Sequence, residues 1–498
     1  MKRLDQLTFT RFWALLFVII YHGGGGIYTG WLMGNAPVAA ILLSAPTAVS
    51  YLYVLSGFVM SLVYYRPNEK FDISGYWTAR FVRIYPLYII SFLLVCYFYI
   101  DYMANIKPQK VLANIFVLQA WWPTYAQSFN YASWSMTVEF FFYAVFPFFT
   151  LWAYRQSTRK LIWVSIGLWL LTQVIHFILW TGYFPAWYEF IVYNPVFHLN
   201  SFIMGAVGGI WFVRRPAEQG ESPSQSLNFL LILLSLGLIA GYTIVSVLYQ
   251  GLPHDLQPMA GLLAPFFILF IVTLALDKTT LSSILSHRWL VTLGETAFAL
   301  YILHVPVIWI YERALFSSNL ASPDFILSVT YMPLMIGVGL IACLFIDPPI
   351  RNWMRSILKR VSMPLLILDL AIFAASAYLS FEIRFDGRRE LLSYENAALL
   401  LFWSAFILRT SISIALNSLD PVNLYLPVAG MIRQVFLSVT AGSIVVTMMV
   451  YLGYLAGWYE NFPRSIFLID WLIVFSLSLL VRFVFRAFQL YKNKSVLI

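Results

Sequence analysis

Apolar runs of membrane-spanning length recur along the whole chain, and this feature limits its fold more than any other. A helix needs about 20 apolar residues to cross the hydrocarbon core of a bilayer. Fourteen such runs occur in the 498 residues, near 10–28, 45–65, 84–104, 134–153, 161–181, 190–213, 227–249, 258–277, 290–311, 325–346, 364–383, 395–416, 434–456 and 465–486. The pattern predicts an all-α integral membrane protein, because backbone groups in lipid must be satisfied within the chain.

The composition leaves little room for a soluble domain. Hydrophobic residues make up 61% of the sequence and charged residues only 11%. The longest clearly hydrophilic stretch, 214–226, is too short for a soluble catalytic domain. We therefore expect any chemistry to lie within the membrane or in short loops. Cys96 and Cys343 lie inside apolar runs and form no metal-ligand spacing, so no metal site is predicted.

The net charge of +9 comes from Lys and Arg in short loops between the apolar runs. This distribution is the positive-inside pattern of membrane proteins, and no nucleic-acid partner is expected. With the N-terminus in the cytoplasm, the inner segments of the first ten spans hold eighteen Lys and Arg, whereas the outer segments hold three. An even number of spans then places the C-terminus in the cytoplasm as well.

Two stretches depart from the pattern of spans. The segment 111–122 is too short to cross a bilayer and is expected to be re-entrant or interfacial, with its tryptophans at the headgroup level. The composition changes near 351–363, where a module boundary is predicted. We therefore expect a ten-helix membrane domain over 1–360 and a four-helix C-terminal membrane module over 361–498.

The first apolar run carries two ionisable residues. Arg11 and His22 are eleven residues apart, so they share one face of a helix. An ionisable residue deep in a span indicates a functional site, although a hydrogen bond between helices is an alternative for His22. The four glycines that follow, 23–26, predict that the helix ends directly after the histidine, since each costs roughly 1 kcal/mol in a helix interior.

Further polar residues lie in other spans. Arg80 and Arg83 share one face at the inner side, where two guanidiniums suit a phosphate, or else simply anchor the helix. Ser135 and Glu139 share a face at the start of a span from the outer side. His304 falls in the outer half of another span, where a hydrogen bond between helices is the simpler interpretation. Together they suit a long donor with an anionic head, such as acyl-coenzyme A.

The first 360 residues resemble the acyltransferase-3 family of integral-membrane O-acyltransferases. The resemblance rests on ordered motifs: Arg11 and His22 with ten residues between them, SYLYVLSGF (50–58), Arg80-x-x-Arg83 followed by IYPLY, SWSMTVEFFFY (133–143) and LYILH (300–304). The stretch FIDPPIR (345–351) departs slightly, with Asp347 where a glutamate is expected.

The resemblance implies a function. It implies transfer of an acyl group, usually acetyl, from cytoplasmic acyl-CoA to a hydroxyl of a surface or lipid-linked glycan on the outer side of a bacterial inner membrane. The resemblance implies catalysis by His22 and donor binding by Arg80 and Arg83, and Glu139 lies in its SWS-x3-E motif. We further expect Glu139 to take part in catalysis, Arg11 to help bind the donor, and Ser135, Tyr301 and His304 to line the acceptor site. Acetyl-CoA is the expected donor, with membrane lipids as surroundings and polysaccharide-synthesis proteins or a second copy as partners.

The residues leave the mechanism open at two points. His22 can act as a general base on the acceptor hydroxyl, or it can carry the acyl group itself. Glu139 can orient the imidazole of His22, or it can hold the acceptor.

The C-terminal segment has a different resemblance. LDLAIFAASAYLSFEIRFDG (368–387) and FPRSIFLIDWLIVFSLSLLVRFVFRAF (462–488) resemble the four-helix membrane region of nucleotide-sugar dehydratases of polysaccharide synthesis. The sequence shows no nucleotide-binding fingerprint there, so dehydratase chemistry is not expected. This segment is interpreted either as a packing module or as a surface that recruits a lipid-linked glycan or its synthetic partners.

A competing hypothesis is a transporter or flippase of a lipid-linked glycan. Many spans and buried polar groups favour it. The sequence has no inverted repeat and no paired broken helices in matching halves, which such transporters often contain.

Overall fold

The structure, a computed structural model, describes residues 4–494 except 33–35, 43, 68, 99–107, 184–186, 216–223, 249–259, 317–322, 386–393, 456 and 460. Regular structure in this part of the chain is helical, as predicted. Twelve described helices are long and apolar enough to cross a membrane. The all-α integral membrane fold is therefore confirmed.

The contacts divide the chain into two compact units, Met1–Arg351 and Asn352–Ile498. Helices of the first unit are α1 Asp5–Leu32, α2 Ala36–Leu42, α3 Ala45–Tyr64, α4 Ile73–Phe98, α5 Pro108–Ile115, α6 Trp134–Ala153, α7 Thr158–Tyr183, α8 Tyr188–Tyr193, α9 Leu199–Arg214, α10 Gln225–Leu248, α11 Ala264–Leu276, α12 Thr280–Leu285, α13 Arg288–Phe316 and α14 Pro323–Ile341. A π-helical stretch, Ala342–Ile346, joins α14 to α15, Asp347–Leu358.

The second unit contains α16 Met363–Phe385, α17 Glu395–Ser404, α18 Thr410–Ala415, α19 Val428–Leu455 and α20 Ser465–Lys494. The stretch Ala405–Arg409 between α17 and α18 is π-helical and keeps them in one apolar span. The four predicted C-terminal spans correspond to candidate spans over Met363–Phe385, Ala397–Ala415, Val428–Leu455 and Ser465–Phe488.

The fourteen predicted runs do not all meet the criteria for a span. The first and eighth runs, near 10–28 and 258–277, correspond to α1 and to the 13-residue α11, which stand outside the twelve candidate spans. The segment near 111–122 does not span: α5 has eight residues and short 3₁₀ turns follow it.

The prediction that the first helix ends after His22 is wrong. α1 continues through the glycines at 23–26 to Leu32. A Cβ atom added at Gly23 would overlap the ring of Tyr331 in α14. The ring leaves no room for a side chain at position 23, which accounts for the glycine there. The packing of α1 in the fold outweighs the low intrinsic helix propensity of glycine.

Helices α3 and α13 form the centre of the first unit, and α7 and α10 form its periphery. In the most apolar stretch of 18 residues, 67% of the residues are buried in α3 and in α13, whereas 22% are buried in α7 and in α10. The outer helices expose large apolar side chains such as Phe177, at 67% of its surface. Such side chains suit contact with lipid, so the polar residues of interest lie on the inner helices.

Small residues allow the central helices to approach closely. α3 packs along α9, where a Cβ at Gly205 would overlap the carbonyl oxygen of Val54 and one at Gly57 would overlap that of Phe202. Small residues at helix interfaces bring backbones together and compensate for the missing hydrophobic driving force in lipid. Ser61 Oγ donates to the carbonyl oxygen of Ala206 over 2.9 Å and further joins the two helices.

Two buried ion pairs hold the helices of the second unit. Arg482 on α20 makes a bidentate pair with Asp369 on α16, at 2.6 and 2.7 Å. Arg409 pairs with Asp470 and donates to Ser443 Oγ over 3.0 Å. All four charged side chains are at most 4% exposed. Each pair joins two helices. Either side chain of a pair would be costly to bury without its partner.

We expect Gly205→Val to separate α3 from α9. The added side chain has no room beside the Val54 backbone, and overpacking of this kind costs about 1–3 kcal/mol. The thermal unfolding midpoint in detergent checks this. Gly167→Val is the matched control, because no described atom lies within 4 Å of its added Cβ. Equal midpoints for the two variants would contradict the close packing of α3 and α9.

The second prediction concerns the Asp369–Arg482 pair. Arg482→Met leaves a buried carboxylate without its partner, which costs about 3–5 kcal/mol, whereas replacing both charges is often neutral. We therefore expect a lower unfolding midpoint for the single variant and recovery in Asp369→Leu/Arg482→Met. Arg433→Ala, at an exposed position, controls for loss of an arginine. A double variant as unstable as the single one would show that the pair itself stabilises the unit.

Candidate active site

A cavity of about 130 Å³ lies among α1, α3, α4, α6 and α13. Six of the eight residues predicted for the site line it: Arg11, Arg80, Arg83, Ser135, Glu139 and Tyr301. The other two, His22 and His304, do not line it. Residues from five helices and from all the sequence motifs before residue 305 therefore meet in one region of the fold.

The three arginines of the cavity differ in their partners. Arg80 Nη2 donates to Tyr64 Oη over 2.9 Å, and its guanidinium lies 5.1 Å from the centre of that ring. Among the described residues, nothing forms a hydrogen bond or an ion pair with the guanidinium of Arg11 or of Arg83. Each therefore has free donors facing the cavity.

The backbone of Arg83 is supported from the end of the first unit. Arg351 Nη2 donates to the Arg83 carbonyl oxygen over 3.3 Å. Arg351 in turn forms an ion pair with Asp347, where Nε donates to Oδ1 over 2.8 Å. The motif FIDPPIR thus meets the Arg80-x-x-Arg83 motif, and Asp347, the departure noted in the sequence, holds the arginine that makes this contact.

Glu139 brings a carboxylate to the same cavity. Its Oε2 accepts from Tyr143 Oη over 3.3 Å, one helical turn further along α6. Among the cations of the cavity, Arg83 and then Arg11 have the strongest electrostatic influence on this carboxylate. The cavity thus presents three guanidiniums and the Glu139 carboxylate, with Glu295 as a second, exposed carboxylate in its lining.

Ser135 and Tyr301 join α6 to α13 across the cavity. Ser135 Oγ and Tyr301 Oη lie 2.6 Å apart, and Tyr301 Oη donates to the Ala132 carbonyl oxygen over 2.7 Å. Both side chains are buried. This bonded pair forms one wall of the cavity.

A proline in α13 frees a backbone carbonyl group that bonds to neighbouring elements. Pro306 has no N–H to donate to the carbonyl of Ile302, one turn earlier. That carbonyl oxygen instead accepts from Ser91 Oγ over 2.7 Å and from Asn130 Nδ2 over 2.9 Å. The broken helical bond thus ties α13 to α4 and to the turn before α6.

The two histidines meet one turn beyond Tyr301. His22 Nδ1 lies 3.0 Å from His304 Nε2, and the two rings stack with centres 5.1 Å apart. His304 Nδ1 lies 2.6 Å from the carbonyl oxygen of Tyr301. His304 is fully buried, while His22 is partly exposed and lies edge-on to Tyr131.

These contacts bear on the two roles that the sequence left open for Glu139, which are to orient the imidazole of His22 or to hold the acceptor. Among the described residues, the hydrogen bond of the His22 imidazole goes to His304, and the one of Glu139 goes to Tyr143. The structure therefore does not favour Glu139 as the group that orients His22. The hydrogen bond between helices that was the simpler interpretation of His304 exists, and its partner is His22.

The sequence analysis did not single out several residues of the cavity. Tyr143, Ser56, Tyr53 and Glu295 all line it. Tyr143 follows Glu139 by four residues, so the same helical face gave a signal for it. Tyr53 and Ser56 lie within SYLYVLSGF, and Glu295 begins the run that ends in LYILH. The described residues contain no group of three or more His, Cys, Asp or Glu able to hold a metal ion.

Comparison with known proteins gives the family of the chain. The acyltransferase-3 family model, described as "Acyltransferase domain", matches residues 4–348. The chain belongs to this family, and the predicted enzyme class, an integral-membrane O-acyltransferase, is confirmed. No solved structure matches the chain at a significant level.

Individual relatives are similar to the chain at lower identity. The acyltransferase MdmB of Streptomyces mycarofaciens is 27% identical over 328 residues, which is 61% of this chain and 79% of the relative. The peptidoglycan O-acetyltransferase OatA of Listeria monocytogenes is 24% identical over 70% of this chain. The O-acetyltransferase OatA of Staphylococcus aureus is 24% identical over the same share. The chain spans 56% and 58% of the length of these two OatA proteins.

Proposed function

We propose that this enzyme transfers an acetyl group from cytoplasmic acetyl-CoA to a hydroxyl of a surface or lipid-linked glycan on the outer side of a bacterial inner membrane. The names of two relatives support acetyl as the group, and the name of one supports a cell-wall glycan as the acceptor class. The positive-inside distribution of Lys and Arg supports cytoplasmic termini.

The observation that carries this proposal is the pair of guanidiniums without partners, Arg11 and Arg83, in one cavity with Arg80. Charged groups inside a membrane protein are costly unless they are paired. Unpaired arginines that converge on a cavity are typical of a site for an anion, and guanidiniums bind phosphate oxygens in a bidentate manner. In this proposal the anion is the set of phosphates of coenzyme A.

His22 is the proposed general base. It is partly exposed, so an acceptor hydroxyl can reach its imidazole. As a neutral imidazole it can take the hydroxyl proton while the hydroxyl oxygen attacks the thioester carbon. Glu139 acts on the donor side in this scheme, because its carboxylate lies with the arginines and balances part of their charge.

The C-terminal unit has a separate proposed role. Its resemblance to the membrane region of polysaccharide-synthesis dehydratases supports a surface that recruits a lipid-linked glycan, its synthetic partners or a second copy of the chain. The four charges of its two described ion pairs are buried, so recruitment would use lipid-facing or loop residues and leave these pairs intact.

A transporter or flippase of a lipid-linked glycan remains the competing function, and one experiment separates the two. Membranes that contain the protein are incubated with acetyl-CoA labelled in the acetyl group, and the glycan fraction is then counted. An acetyltransferase places label in the glycan. Label confined to acetyl-CoA, with glycan movement across the membrane intact, would overturn the proposal.

The donor role of the arginines gives a prediction for Arg83→Ala. Loss of a hydrogen bond to a charged group costs about 1.5–3 kcal/mol, and every 1.4 kcal/mol is about tenfold in affinity. We expect KM for acetyl-CoA to rise about tenfold or more without loss of folded protein. Arg159→Ala, an exposed arginine, is the matched control. An unchanged KM in a folded Arg80→Ala/Arg83→Ala variant would contradict the phosphate role.

The base role gives a prediction for His22→Ala. We expect acetyl transfer to be lost while acetyl-CoA still binds, because the arginines that hold the phosphates are unchanged. Transfer of labelled acetyl and equilibrium binding of acetyl-CoA measure the two properties. His287→Ala, at an exposed histidine, controls for nonspecific effects. Wild-type turnover by the His22 variant would show that this histidine is not the base.

A further inference from the structure

The hydrogen bonds of His304 fix the position of its proton. A carbonyl oxygen can only accept, so the 2.6 Å contact with the Tyr301 carbonyl requires a hydrogen on His304 Nδ1. A neutral imidazole carries one N–H, so His304 Nε2 holds a lone pair. Neutrality follows from full burial of the ring, where none of the described hydrogen bonds brings a carboxylate to either histidine.

The state of His304 then fixes that of His22. His304 Nε2 lies 3.0 Å from His22 Nδ1, and a lone pair at this distance requires a donor. His22 therefore carries its hydrogen on Nδ1. Its lone pair is on Nε2, on the side of the ring away from His304.

We infer that His304 is a positioning residue for acyl transfer, which holds His22 in the tautomer and orientation that present Nε2 as the basic nitrogen. This inference rests on the proposed role of His22. His304 thus takes the place that a carboxylate has in other base-orienting pairs. A neutral imidazole does so without adding a charge to a buried site.

The proton transfers balance in this scheme. The acceptor O–H bond breaks and its hydrogen moves to His22 Nε2, while the oxygen forms a bond to the acyl carbon. The bond from that carbon to sulfur breaks, and the thiolate of coenzyme A takes the proton from Nε2. Throughout, His22 Nδ1–H donates to His304 Nε2 and stabilises the transient imidazolium, and His304 keeps its own proton on the Tyr301 carbonyl.

Three substitutions at position 304 test the role. His304→Gln can place an amide oxygen near the position of Nε2 and so retain an acceptor for His22. His304→Asn can reach only the position of Nδ1 and retains the bond to the Tyr301 carbonyl. His304→Ala loses both. We expect kcat to fall about a hundredfold for the Asn and Ala variants and severalfold for the Gln variant, with KM for acetyl-CoA unchanged.

Failure of the positioning role of His304 can be distinguished from failure of the base role of His22. Wild-type turnover by His22→Ala defeats the base role itself. Equal turnover of the folded Gln and Asn variants, with His22→Ala inactive, defeats only the positioning role. Because some variants can fail to fold, ¹⁵N NMR of the wild-type protein with labelled histidine gives a second test. The His22 signals should be those of the Nδ1–H tautomer, and an Nε2–H tautomer would overturn the inference.

Discussion

The cost of an uncompensated charge inside a membrane protein governs this structure. Arg11 and Arg83 face a cavity with no hydrogen-bonding or ion-pairing partner among the described residues, although Glu139 lies close enough to influence both. Two contacts hold the neighbouring helix α4 in place: the hydrogen bond from Arg351 to the Arg83 carbonyl oxygen and the hydrogen bond from Arg80 to Tyr64. A site that is prepared for an anion in this way carries its electrostatic cost before the ligand arrives.

The described arginines buried in the second unit have ion-pair partners, unlike Arg11 and Arg83. Arg409 and Arg482 are buried as well, but each meets an aspartate on another helix. Each pair links one position on a helix to one position on another. The presence or absence of a partner therefore separates structural arginines from candidate binding arginines, and no sequence pattern separates them as clearly.

Periodicity predicted most of the fold, because apolar runs of spanning length have few other solutions. It also predicted that Ser135 and Glu139 lie on one helix face, and that Arg80 and Arg83 lie on one face of another helix. The continuation of α1 through four glycines was not predictable, since the Tyr331 ring that replaces a side chain at Gly23 comes from a helix about 300 residues later. The His22–His304 contact was missed for the same reason: helical spacing gives the face of each residue but not its neighbour on another helix.

The short stretch from Tyr301 to His304 is sensitive to any change in its length. Within four residues, α13 supplies a cavity wall, a carbonyl for Ser91 and Asn130, and the ring that meets His22. A single inserted or deleted residue would rotate everything beyond it by about 100°. An insertion or deletion in this stretch would therefore separate the histidine contact from the cavity wall in this chain, whereas a substitution would leave the remaining contacts in place.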